Sequence, residues 1–186
     1  MSGGTTTTDP AEVRLLKRVE AAPALDPAVG LFGKVARRLT GSPGMTRVLQ
    51  GNWVGHAIHP PLTDLPIGTW VSATLLDLLG GSAARPAATR LIGIGIAASV
   101  PTILTGLAEW RSIDRESQRV GVVHASANTV AFGLYAASWV ARLRGRHGRG
   151  VLLGMAGGSA AGLGAYLGGH LTEVRKISTH HPGFDR

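Results

Sequence analysis

The stretch Gly55–Trp70, GHAIHPPLTDLPIGTW, decides how this chain is read. It delivers the backbone into its first long apolar run. It also brings His56, His59 and the carboxylate of Asp64 to the entrance of that run. Pro60 and Pro61 suit the first turn of a helix, where missing N–H groups cost little. Asp64, one turn further in, answers the positive end of the helix dipole.

Downstream the pattern repeats. Apolar runs cover about residues 62–79, 91–108, 120–141 and 151–171. Each reaches the roughly 20 residues that cross a hydrocarbon core of about 30 Å at about 1.5 Å per residue. The last three have no Asp, Glu, Lys or Arg in their interiors, and the first carries Asp64 and Asp77 towards its ends. Soluble buried helices rarely stay apolar for so long four times over. The expected fold is all-α, an integral membrane four-helix bundle over residues 55–172. A partly disordered N-terminal tail (1–54) with short amphipathic helices precedes it, and a C-terminal tail (173–186) follows.

Composition agrees. Charged residues are 16% of the chain, against roughly 25% in soluble domains. The net charge of +8 resides in tails and loops beside apolar runs, without a nucleic-acid motif, so lipid and not nucleic acid is the expected partner. There is no cysteine, which excludes disulfides, thiolate metal sites and cysteine nucleophiles. No apolar segment of signal-peptide type opens the chain, so its own helices are expected to direct insertion.

Within the N-terminal tail, residues 1–10 are small and polar and are expected to be disordered. A helix is expected over 11–22, with Val13, Leu16 and Val19 near helical spacing. A second follows Pro27, with Phe32, Val35, Ala36 and Leu39 as its apolar stripe and Lys34, Arg37 and Arg38 largely opposite. Such a helix either lies on an anionic membrane surface or packs on the domain. GSPG at 41–44 is a break.

Short loops imply antiparallel neighbours. Four crossings put both termini on one side, and the sequence RLRGRHGRG (142–150) on the other. Those arginines pull towards the cytoplasm, whereas the basic N-terminal tail resists export. The expected location is the bacterial inner membrane, multi-pass, with both termini cytoplasmic. In the last run Gly154, Gly158 and Gly162, and likewise Gly164 and Gly168, are spaced for close helix approach, and a flat cofactor is the alternative occupant of such a bare glycine face.

Placed by depth, His59, Asp64, Glu109, Trp110, His124, Asn128 and His170 converge on the terminal side. His147 is alone on the other. Singly, Glu109, Trp110 and His170 fit the interfacial zone of a membrane protein. Together they form a costly set of ionisable groups that tends to face a cavity or bundle interior. Two chemistries suit them. His124 with His59 or His170 would ligate a b-type haem. Alternatively His59, His124 and His170, with Asp64 or Glu109, would bind a Zn, Fe or Cu ion. As second-sphere groups, the two carboxylates would orient the imidazoles. Serine hydrolysis has no motif here.

HPPLTDLPIGTW (59–70), GLAEW (106–110), VHASANTVAFGLYAASW (123–139) and AYLGGHL (165–171) resemble a family of bacterial four-helix membrane domains of unknown function. Members of that family also occur fused to a C-terminal Rieske iron–sulfur domain. The resemblance implies that the characteristic histidines are His59, His124 and His170, and it points by analogy to electron transfer. This chain has no cysteine for a Rieske cluster, so a redox partner would be a separate protein. The expectation is therefore a membrane protein with a histidine-lined haem or metal site. The alternative is a cofactor-free structural or partner-binding protein, with homo-oligomers possible in either case.

Overall fold

The computed structural model describes residues 9–184, all of them helix, turn or irregular chain apart from one isolated β-bridge. Residues 1–8, most of the segment expected to be disordered, lie outside the described residues. Seven α-helices follow in order: α1 (Ala11–Glu20), α2 (Asp26–Thr40), α3 (Pro43–Leu49), α4 (His59–Leu79), α5 (Arg85–Glu109), α6 (Arg115–Leu143) and α7 (His147–Gly169). The last continues into a π-helical turn over His170–Val174.

The GSPG break lasts less than a turn. Ser42 caps α3 by accepting from the Met45 N–H, and Pro43 supplies the first helical residue. The long helices begin earlier than their apolar runs suggested, because Arg85, Arg115 and His147 already belong to first turns.

Three helical stretches are long and apolar enough to cross a membrane: Ser82–Glu109, Arg115–Leu143 and His147–Val174. Only about a third of each is buried, so much of their apolar surface is partly or fully exposed. The expected first span, α4, is not among them, since Asp64, Asp77 and three prolines dilute its apolar character. Its outer face is nonetheless aliphatic, with Leu65, Ile67, Val71, Leu75 and Leu78 all exposed.

α4 pairs with α5, and α6 with α7, as two antiparallel hairpins. Pro66 lies inside α4 and cannot donate to the Leu62 carbonyl one turn back. The Thr102 hydroxyl of α5 donates to that carbonyl instead, at 3.2 Å, so the helix defect becomes an interhelical tie.

The two hairpins follow one pattern. Tyr135 follows His124 by the same number of residues as Trp70 follows His59, and Arg142 follows at the same step as Asp77. The buried positions of α5, Ala88, Ile92, Gly95, Thr102 and Thr105, match in spacing the buried Gly150, Gly154, Gly157, Gly164 and Leu167 of α7. Trp70 rests on Gly95 and Tyr135 on Gly157. Matching residues also meet each other. Trp70 stacks on Tyr135 with centroids 4.0 Å apart, and Asp77 pairs with Arg142. The domain is thus a duplicated helical hairpin whose repeats face each other across a pseudo-twofold axis.

The N-terminal helices cover the end of this bundle that carries His59 and His170. Leu16 of α1 joins Val120 and Leu167, while Val29 and Ala36 of α2 pack with Trp110 and Val122. Phe32 stacks on Trp110 at 5.7 Å. α2 is therefore a packing helix, and its expected stripe divides. Phe32 and Ala36 turn inward, while Val35 and Leu39 stay exposed with Leu31. Arg119 holds α2 in place through paired hydrogen bonds of 2.9 and 3.1 Å to Asp26. That contact keeps the Asp26 carboxyl below the ordinary carboxylate range.

Candidate functional site

His59 is the first residue of α4, and its Nδ1 lies 2.9 Å from the Thr102 carbonyl of α5. A carbonyl only accepts, so Nδ1 carries the proton and donates. In the neutral ring the lone pair is then on Nε2. His124 of α6 repeats the arrangement, with Nδ1 donating to the Gly164 carbonyl of α7 at 2.8 Å. Each hairpin thus supports its own imidazole from its own second helix.

Glycines make this possible. A Cβ on Gly106, one turn beyond Thr102, would lie 2.7 Å from the His59 Cε1. A Cβ on Gly168, one turn beyond Gly164, would lie 3.1 Å from the His124 Cε1. Asn128, one turn along from His124, brings its amide nitrogen to 3.2 Å from Nε2 and 3.0 Å from the His124 carbonyl. The second imidazole therefore has a neighbour at Nε2 that belongs to its own helix.

The remaining sequence candidates go elsewhere. His170 Nε2 donates to the Glu20 carboxylate of α1 at 2.8 Å, linking the cap to α7. Glu109, at the end of α5, accepts from the hydroxyl and N–H of Thr179 at 2.6 and 3.2 Å, and its Oε1 is buried without a partner among the described residues. Thr179 is held there because the C-terminal segment pairs with the entrance stretch. The Ala57 N–H donates to the Thr179 carbonyl, and the His181 N–H to that of Gly55. Asp64 is exposed on the outside of α4. Among the described residues no three His, Asp or Glu side chains gather where they would hold one metal ion.

At the opposite end His147 is not alone. Its Nε2 lies 3.4 Å from the Asp77 carboxylate, which also takes two hydrogen bonds, at 2.8 and 2.5 Å, from Arg142. Both members of that ion pair are buried, at 0% and 5% side-chain exposure. Arg142 further donates to Ser138, whose hydroxyl donates to the Gly150 carbonyl. As one of four arginines in RLRGRHGRG it reads as a loop charge. In the fold it is the partner of the one acid at that end.

Thr102 and Gly106 were not foreseen as site residues, and Gly164 and Gly168 were expected only as part of a glycine face for a neighbouring helix or a flat cofactor. The signal that finds them is the duplication: the first helix of each hairpin carries a histidine at the same step before its stacked aromatic, and a carbonyl followed by a glycine one turn later receives it. Residues 55–181 match a family model described as "Predicted membrane protein (DUF2231)". No curated protein and no solved structure matches.

Proposed function

The chain belongs to that family, and we propose that it is a four-span membrane protein whose two repeats present His59 and His124 to a shared redox ligand, most suitably haem iron. The observation that carries this reading is the common state of the two rings. Each donates Nδ1–H to a helix carbonyl and keeps its lone pair on Nε2. Ligating histidines are typically oriented in this way, with the second nitrogen anchored to an acceptor.

The donor set suits haem better than a bare ion. His59 and His124, at matching positions of the two repeats, would hold the iron of a haem, whose remaining donors the macrocycle would supply. A zinc, iron or copper ion held by protein alone would need further side chains, and the carboxylates offered by sequence lie elsewhere. Bound haem would supply one-electron chemistry. The chain's own contribution is to hold two rings, exclude water with an aliphatic exterior and cover the site with α1 and α2. His170 then serves the cover through Glu20.

What supports four crossings is that α4 shares the hairpin pattern and an aliphatic outer face with its three companions. With the termini cytoplasmic, in the bacterial inner membrane, the site lies towards the cytoplasmic face and a separate redox protein is its partner. The test is the absorption spectrum of purified protein with and without His59 and His124.

A second reading rests on Asn128. Its amide lies against the His124 Nε2, as expected if the polar residues close a cofactor-free network between helices. In that case His124→Ala lowers stability and no ligand is lost with it.

A further inference from the structure

The end of the bundle opposite the histidines has more positive charge than it can neutralise. Among the described residues Asp77 is the one carboxylate there, and Arg142 occupies it. Arg144, Arg146 and Arg149 are exposed and make no ion pair or side-chain hydrogen bond among the described residues. At the terminal end Arg119 and Arg175 are matched with Asp26, Asp114 and Glu116, while Lys34, Arg37 and Arg38 of α2 are exposed but form no part of the groove at the other end.

The three free arginines stand at the lip of a groove of about 370 Å³ on the outside of the α6–α7 hairpin. Its walls are apolar, formed by Ala136, Ala137, Val140, Ala141 and Leu153. The first repeat is an internal control for what the fold itself requires. There the positions of Arg144, Arg146 and Arg149 hold Leu79, Ala84 and Ala87, and those of Ala136 and Ala141 hold Val71 and Leu76. The same hairpin therefore forms without arginines at these three positions and with bulkier side chains where Ala136 and Ala141 stand. Only the second repeat combines small groove residues with a basic rim.

From this combination we infer that the groove is a binding site for an anionic phospholipid, with the phosphate on Arg144, Arg146 and Arg149 and an acyl chain along Ala136, Ala137 and Leu153. Phosphate pairs strongly with guanidinium groups, and basic pockets beside membrane helices attract anionic headgroups. An apolar wall below the headgroup level suits the hydrocarbon chain and excludes a purely soluble anion as the best-fitting occupant.

The test is lipid retention by full-length detergent-purified protein, measured by native mass spectrometry with phosphatidylglycerol and phosphatidylcholine in equal amounts. Phosphatidylglycerol is retained preferentially. Replacing the three arginines together by Gln reduces its retention on the order of ten-fold. Filling the groove with Ala137→Phe does the same with every arginine in place, and so keeps the test valid if the triple variant folds poorly. Arg37→Gln with Arg38→Gln, a charge loss on α2, leaves retention unchanged. Equal retention of the two lipids overturns the site. So does full retention by Ala137→Phe, or glycerol 3-phosphate binding as tightly as the lipid, since neither outcome needs the apolar wall.

Discussion

Trp70 and Tyr135 occupy the same step of two successive helical hairpins and stack on each other with ring centroids 4.0 Å apart and planes 16° from parallel. Above them in each repeat is a histidine, and below them are Asp77 and Arg142, which also meet. A duplicated hairpin thus brings unlike residues at matching positions into complementary pairs along one axis. The aromatic pair contributes about 0.5–1.5 kcal/mol beyond the area it buries. It also sets the register of the two helices that carry His59 and His124.

The ion pair below is the least replaceable of these contacts. Asp77→Asn or Arg142→Gln leaves a buried charge without its partner and is expected to cost about 3–5 kcal/mol. Removing both charges with Asp77→Leu and Arg142→Met should recover most of that loss. Thermal unfolding in detergent measures both effects, and equal damage from single and double variants would show that the pair is not a unit.

Glycines facing the histidines should be intolerant of even a methyl group. Gly106→Ala places a carbon 2.7 Å from the His59 ring and is expected to cost about 1–3 kcal/mol. Gly168→Ala, at 3.1 Å from His124, should cost less. Gly162 has nothing within 4 Å of the added carbon, and there Ala should be neutral or stabilising. Melting temperatures in that order check the assignment.

Acid should release the N-terminal cover. Arg119 holds the Asp26 carboxyl below its ordinary value of 3.8 while α2 is docked. A lowered folded value means that the contact stabilises docking fully above the free carboxylate range and is lost as pH falls through the docked value. The protection factors of the α2 amides, with the intrinsic pH dependence of exchange divided out, should therefore fall at that acid limit and stay level between about pH 5 and 7. Asp26→Asn should abolish the acid step.

Topology is accessible because the chain has no cysteine of its own. Single cysteines at Met45 and Ser82, both exposed, flank α4. Four crossings place them on opposite sides of the membrane for an impermeant thiol reagent. Labelling from the same side would mean that α4 does not cross.

Much of the fold was readable in advance. Long apolar runs separated by short polar breaks dictate four long helices, and Pro60–Pro61 marks where α4 starts. Depth along those runs placed His59 and His124 at one level. What stayed hidden depends on rotation about helix axes, which a run that is apolar all round does not encode. Asp64 and His59 are near neighbours in sequence, yet one is outside and the other inside. His170 belonged to the same level but turned to Glu20, a partner far away in the chain. Arg142 resembled a loop charge because its acceptor lies in the other repeat. The duplication resolves these rotations, since one face must be shared by both hairpins.

The most direct measurement is the absorption spectrum of the detergent-purified protein, air-oxidised and then dithionite-reduced, with metal analysis of the same sample. The protein is expressed with haem and metals available. The account predicts a Soret band with sharpened α and β bands on reduction, lost in His59→Ala and in His124→Ala but kept in His170→Ala. A protein without Soret band or stoichiometric metal, or one whose band survives loss of both His59 and His124, would contradict it.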